Sequence, residues 1–242
     1  MRNEELWQPT KFDYIGDSLR VSKKHENVAI GSRLIAEILV KIYQEVISKY
    51  ARGRLVDLGC GKAPLYGYYK KFVSDVICID WQQVGGENIY LDHVADLNNG
   101  IPLSENYCDT LLVTDVLEHI SNPELFWEEM ARVLKEEGII ILGAPFLYPL
   151  HEQPYDFCRY SEYKLRLFCE KNGFAVEKLQ AYGGSPEVML NLIANHLNFC
   201  KSLAASHVFF SRLFLKTPIS KYLTKKTRCK FPLGYILVAR KT

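Results

Sequence analysis

The chain has 242 residues, 48% of them hydrophobic, which is enough to bury one substantial core and suits a single α/β domain. No uninterrupted apolar run is long enough for a membrane span, and Met1 to Trp7 carry no signal-like apolar stretch, so neither a spanning helix nor a secretory leader is expected. The formal net charge of +2 conceals polarity: residues 188–242 hold ten Lys or Arg and no Asp or Glu, leaving −8 over residues 1–187 and suggesting an anionic partner for the basic part.

Residues 1–30 read as polar and irregular, with Pro9, Gly16 and a basic patch from Arg20 to Lys24. A helix is expected from Ser32 to Tyr50, where Leu34, Ile35, Ile38, Leu39, Ile42 and Val46 recur at helical spacing, leading into the first strand. Leu55-Val-Asp-Leu-Gly-Cys-Gly-Lys-Ala-Pro follows: an apolar run ends in acid, then turns through Gly59 and Gly61 into a helix. Such a turn lets a ligand approach bare backbone. A dinucleotide fits poorly, because Pro64 stands where the third glycine of that fingerprint would fall and Asp57 would repel a pyrophosphate. The same carboxylate would attract an ammonium group. Val76 to Asp80 reads as a second buried strand, its acid about 20 residues past the glycine turn, where a βαβ unit places a ribose-binding carboxylate. Trp81 offers an aromatic face to an adenine. Asp109 to Ile120 reads as a strand running into a helix, with Asp115 at the strand's ligand-facing end. A helix over Pro123–Leu134 and a strand through Gly138-Ile-Ile-Ile-Leu142 come next. Ser161 to Gly173 reads as a capped helix closed by glycine, and Phe174–Leu179 as another strand. Two helical segments, Glu187–Cys200 and Leu203–Leu215, precede a last strand from Gly234 to Ala239.

Asp57-Leu-Gly-Cys-Gly61, Asp80, Val94-Ala-Asp-Leu97, the Leu-Glu-His-Ile run at 117–120 and the helix–turn–strand at 133–142 occur in one order over some ninety residues. Together they resemble class I S-adenosylmethionine-dependent methyltransferases of type 11. The resemblance implies a doubly wound, mostly parallel seven-stranded sheet, Rossmann-like, ending in an antiparallel pair. It implies one domain over 1–242: an N-terminal segment and lead-in helix (1–50), a cofactor-binding core (51–184), a helical insertion (185–230) and the last strand (231–242). S-adenosylmethionine is then the expected cofactor, held by Asp57, Gly59, Gly61, Asp80, Trp81, Asp96, Leu97 and Asp115, with Asp96 meeting the adenine amino group.

The stretch Pro145 to Ser161 concentrates Tyr148, His151, Tyr155, Asp156, Arg159 and Tyr160 at the ligand-facing edge, so substrate recognition is expected there. An Asp156–Arg159 pair pinning the loop is the competing reading. The His-Glu-x-Pro-x-Asp-Phe-x-Arg-Tyr pattern resembles bacterial methyltransferase-like proteins from cell-surface polysaccharide clusters, which implies a sugar or glycan acceptor, methylated on oxygen or nitrogen. His151 is the first choice of general base and His119 the second, Glu118–His119 being a pair that often only shapes such sites. No ligand set at a recognisable spacing completes a metal site through His151 and Asp156, and seven cysteines without a C-x-x-C read as reduced thiols. The basic segment 188–230 reads either as a lid or as a peripheral contact with an anionic membrane, for a cytoplasmic protein; no nucleic-acid-binding module accompanies it. A lipid or quinone-like acceptor and a non-catalytic cofactor-binding module are the alternative functions.

Overall fold

The structure, a computed structural model, describes residues 1–16, 18–24, 26–81 and 87–242. A hairpin opens the chain, β1 (Phe12–Ile15) pairing antiparallel with β2 (Ser18–Val21). Helix α1 (Arg33–Tyr50) then leads into a seven-stranded sheet formed by β3 (Arg54–Leu58), β4 (Asp75–Asp80), β5 (His93–Val94), β6 (Cys108–Thr114), β7 (Leu134–Pro145), β8 (Phe174–Tyr182) and β9 (Gly234–Lys241). Their order is β5-β4-β3-β6-β7-β9-β8; the first five run parallel, and β9 is antiparallel to both β7 and β8. This is the doubly wound sheet with a terminal antiparallel pair that the sequence leads one to expect.

The order reverses between β3 and β6, so their carboxyl ends diverge into a crevice, where open α/β sheets bind ligands. Both central strands are buried on both faces, which explains why they read as near-continuous apolar runs. Helix α1 and the single helical turn α2 (Tyr66–Tyr69) cover one face; α3 (Pro123–Val133) and α4 (Glu162–Lys171) cover the other. Helix α3 starts with Pro123 in its first turn and an Asn122 side-chain cap, and α4 starts on a Ser161 cap.

The fold departs from expectation at three places. Residues 1–30 are not irregular: the hairpin docks on α2, with Trp7 edge-on to Tyr66 at 5.2 Å and the Tyr14 hydroxyl donating to the Pro64 carbonyl at 2.9 Å. The approach is close enough that a Cβ at Gly67 would stand 2.9 Å from both the Trp7 and Tyr14 rings. The helix after the glycine turn is correspondingly short. Third, the segment before β9 holds three helices, α5 (Ser185–His196), α6 (Lys201–Leu215) and α7 (Pro218–Thr227), where two were expected. Helix α5 packs on α1, and Arg212 of α6 pairs with Glu37 of α1, Nε to Oε1 at 3.0 Å.

Candidate functional site

Leaving β3, the chain turns through Gly59 at φ +65° and Gly61 at φ +53°, a left-handed region that suits glycine. The Gly59 and Cys60 amides donate to the Ile79 carbonyl, while the Gly61 amide donates to Asp80 Oδ2 at 2.6 Å. Asp80 also accepts the Trp81 amide on Oδ1 at 2.7 Å. The acid at the end of β4 is thus tied to the glycine turn, with one amide on each oxygen. Burial pushes its carboxyl up while these two amides oppose the shift.

A cavity of about 140 Å³ opens beside this turn, lined by Gly59, Gly61, Asp80, Trp81, Asp96, Leu97, Asp115 and His119 among others. Seven of the eight residues expected to hold the cofactor therefore share one cavity. Asp57 is the exception. It lies beneath the turn, 3% exposed, with Oδ2 accepting from the Tyr69 hydroxyl at 2.9 Å; burial pushes its carboxyl up to about 7. Asp96 caps the turn at 97–99, accepting the Asn98 amide at 2.9 Å, and stays exposed to the cavity.

After β6 the chain makes a second unusual turn. Asp115 has φ +56°, a conformation that Asp tolerates better than most residues, and its amide donates to Gly143 at 3.0 Å. A 3-10 turn at Leu117–His119 follows, and the loop after β7 folds back on it, the Phe157 amide donating to the Glu118 carbonyl at 2.8 Å. A second cavity of about 270 Å³ is lined by Asp115, Glu118, His119, Tyr148, His151, Glu152 and Tyr182, by Ser32 and Leu39 at α1, and by Lys11 and Asn27 from the N-terminal segment. Asp115, His119 and Glu152 line both cavities. A larger open groove of about 1140 Å³ runs elsewhere, between α1 and α6, and touches no residue of the glycine turn.

At the meeting of the two cavities Glu118 is 1% exposed, and among the described residues none donates a hydrogen bond to either of its carboxylate oxygens. His151 Nε2 lies 3.5 Å and His119 Nε2 3.8 Å from Glu118 Oε1. Burial pushes the Glu118 carboxyl up, and the neighbouring Glu118 carboxylate raises His151. His119 Nδ1 faces the Tyr155 carbonyl at 2.6 Å, and His151 Nδ1 faces Asp156 Oδ2 at 3.1 Å. The sequence offered no metal set; the fold nevertheless gathers Glu118, His119 and His151 so that one donor atom of each lies within 4.8 Å of the others.

The loop residues divide. Tyr148 and His151 reach the second cavity; Tyr155, Asp156, Arg159 and Tyr160 do not line it. Arg159 donates from Nη2 to Asp156 Oδ2 at 2.7 Å and holds that carboxyl down, to about 2, so this pair pins the loop as the competing reading had it. Tyr155 packs edge-on against Trp81 at 4.7 Å. Tyr160 is 4% exposed and belongs to the core beside Phe168, because its ring completes the apolar face under α4. Lys11, Glu152 and Tyr182 were missed. Lys11 sits 3.8 Å from Asp115 by virtue of the N-terminal hairpin, which no motif announces.

Fold and site together define the class as the Rossmann-like methyltransferase fold, and residues 56–142 match the family model described as a methyltransferase domain. Among solved structures, the chain is similar to a SAM dependent methyltransferase from Archaeoglobus fulgidus, 17% identical over 84% of this chain and 91% of that one, with a TM-score of 0.55. It is similar to an S-adenosylmethionine dependent methyltransferase from Mesorhizobium loti, at 13% identity, 81% and 95% coverage and a TM-score of 0.53. It also resembles the (4+2) cyclase SpnF, at 19% identity, 86% and 82% coverage and a TM-score of 0.56. A search of the curated proteins returned no match. At these identities the likeness establishes the fold, and a cyclase among the neighbours is a reminder that the reaction must be argued from the site.

Proposed function

We propose that this chain is an S-adenosylmethionine-dependent methyltransferase acting on an oxygen or nitrogen acceptor, with a sugar or glycan intermediate as its substrate class. One observation carries the reading: the cavity at the glycine turn and the cavity beneath the N-terminal segment share Asp115, His119 and Glu152 as a common wall. Group transfer needs two reactants bound against each other, and this layout supplies two compartments with one junction.

The residues present fit the cofactor. Gly61 faces open space, no atom of the described residues lying within 4 Å of a Cβ built there, so a ligand can rest on bare backbone. Asp80 keeps unused lone pairs on both oxygens for ribose hydroxyls, Trp81, Leu97 and Ile120 offer apolar surface to an adenine, and Asp96 stands ready for its amino group. Asp57 and Asp115 give the site negative charge for a cationic amino acid. When bound, S-adenosylmethionine supplies an electrophilic methyl whose bond to sulfur breaks as the bond to the acceptor forms. The protein's share is alignment, and a hydroxyl acceptor must also lose its proton. The Glu118–His119–His151 cluster is where this chain can promote that loss, with His151 first and His119 second. A carboxylate acceptor would need no such help. Lys11, Asn27, Ser32 and Tyr148 in the second cavity suit a hydroxylated molecule better than a purely apolar one.

The same proposal gives residues 188–230 a peripheral contact with an anionic membrane at its cytoplasmic face. Among the described residues no helix is long and apolar enough to cross a membrane. Yet Phe199 is 77% exposed, Ile219 68% and Phe210 65%, in a segment whose only formal charges are positive. The open groove between α1 and α6, where Leu34, Ile38, Val208 and Leu215 sit among Arg33, Lys41 and Arg212, favours a lipid-linked acceptor as the second reading.

Calorimetric titration with S-adenosylmethionine, and separately with NAD, tests the core of the proposal. S-adenosylmethionine should bind in the micromolar range and NAD should not, and Asp80→Ala should abolish binding. A folded wild-type protein that ignores S-adenosylmethionine would remove the enzyme assignment and leave the fold.

A further inference from the structure

We infer that Glu118, His119 and His151 form a binding site for a divalent first-row transition-metal ion at the junction of the two cavities. Two observations point to the ion independently of any family likeness. The first is the buried carboxylate: Glu118 is 1% exposed and accepts no hydrogen bond from a described residue on either oxygen. A buried carboxylate without hydrogen bonds is one of the most expensive groups a fold can hold, and it is tolerated where a cation completes it.

The second observation is the orientation of the two imidazoles. His119 Nδ1 faces the Tyr155 carbonyl at 2.6 Å, an atom that can only accept, so Nδ1 carries the proton. His151 Nδ1 faces the Asp156 carboxylate at 3.1 Å and the Pro149 carbonyl at 3.3 Å, again acceptors only. In the neutral form of each ring these partners leave Nε2 as a lone pair. Both Nε2 atoms lie near Glu118 Oε1, 3.8 and 3.5 Å away. Donors gathered in this way need a shared cation, and a metal ion serves all three where a proton on His151 serves only that ring and Glu118. The outer contacts are those of metal-ligating histidines, whose second nitrogen donates to a carboxylate or a backbone carbonyl.

The contacts from Glu118 are close to what an ion needs, and the widest donor pair, within 4.8 Å, would close by about 1 Å on loading. Two ligands each about 2.1 Å from a tetrahedral ion are roughly 3.4 Å apart, so shifts of a few tenths of an ångström would complete the contacts from Glu118. Two histidines and one carboxylate leave coordination positions open, and this donor set suits Mn²⁺, Fe²⁺ or Zn²⁺ rather than Mg²⁺ or Ca²⁺, which prefer oxygen. His119 also lines the first cavity and His151 the second, so an open position faces the place where an acceptor would lie. The ion would hold an oxygen of that acceptor; this role, though not the site itself, rests on the methyltransferase reading.

The test uses the whole chain, stripped with a chelator, dialysed, and titrated calorimetrically with Mn²⁺ and separately with Zn²⁺, with no other ligand present. One ion per chain should bind for at least one of the two metals. Glu118→Gln, which keeps the shape and removes the charge, should weaken that binding at least tenfold, and His119→Ala with His151→Ala should abolish it, while Asp80→Ala should leave it intact. Absence of binding to folded wild type, or binding that survives Glu118→Gln unchanged, would overturn the site. Titration of the same stripped protein with S-adenosylmethionine reads the cofactor proposal separately, so either result can fail alone.

Discussion

Asp57 shows what a single buried residue costs and what it is kept for. Its carboxyl is raised from 3.8 to about 7 by burial, against the opposing effect of the Tyr69 hydroxyl bond. Between these two values the folded protein holds a proton that the unfolded chain has released. The stability conferred by the neutral form is therefore fully present below about pH 4 and is lost as pH rises through 7, by up to roughly 4 kcal/mol. Asp57→Asn keeps an oxygen for Tyr69 and removes the titration. It should melt several degrees above wild type at pH 8 and together with it at pH 4, followed by thermal unfolding at each pH. Parallel curves across that range would show that Asp57 is not buried as described. On the proposed function the same variant should bind S-adenosylmethionine more weakly, because it removes a negative charge from beneath the turn; stability and function would then be opposed at this position.

The glycine turn is a matter of element rather than residue, because its two glycines are required for different reasons. A Cβ at Gly59 would stand 2.4 Å from Val116 Cγ2, so Gly59→Ala combines left-handed strain with a clash between the turn and the segment after β6. It should cost about 2–4 kcal/mol in denaturant unfolding. Gly61→Ala bears the strain alone, about 1–2 kcal/mol, since its methyl meets no described residue within 4 Å. That methyl intrudes on the ligand's side of the turn instead, and its main effect should be on S-adenosylmethionine affinity in calorimetry. Equal stability losses in the two variants would contradict the asymmetry. Local patterning of this kind is what the sequence makes legible: the glycine turn, the acid closing β4, the capped starts of α3 and α4, and the alternation of strand and helix all lie within a few residues of their causes. Elements set by distant partners were not legible. The docking of Trp7 and Tyr14 on α2 and the turn before it joins residues fifty or more apart. The Glu118–His119–His151 cluster joins residues about thirty apart, a spacing with no motif, and Asp156–Arg159 looks alike in sequence whether it binds a substrate or itself. Helix α7 is different: Thr217 followed by Pro218 is an ordinary cap-and-first-turn signal, and the Thr217 hydroxyl does accept the Ser220 amide at 3.2 Å. Thr217→Ala should lower stability by about 1 kcal/mol in the same unfolding assay.

At the scale of the molecule the dominant feature is segregation of charge and of exposed apolar surface into one segment. Twelve of the twenty-two large apolar side chains exposed among the described residues lie between 189 and 231, interleaved with lysines and arginines that have no acidic neighbour in sequence. Electrostatics and burial make separate predictions for such a surface, and the two can be read apart by flotation with lipid vesicles. Near an anionic surface each lysine contributes about 1 kcal/mol, screened by salt, so binding should require phosphatidylglycerol and fall as ionic strength rises. Lys225→Glu with Lys226→Glu changes four units of charge and should abolish flotation at physiological salt. Phe209→Ser with Phe210→Ser leaves the charges in place; it should weaken binding at every salt concentration without altering the salt dependence, because the loss is of buried apolar area. Neither pair touches the glycine turn or the Glu118 cluster, so S-adenosylmethionine binding by both variants should match wild type. Equal flotation with neutral phosphatidylcholine would remove the electrostatic part of the contact, and no flotation with either lipid would make the segment a lid rather than a membrane contact. The acceptor would then have to be sought among soluble molecules that fit the 270 Å³ cavity.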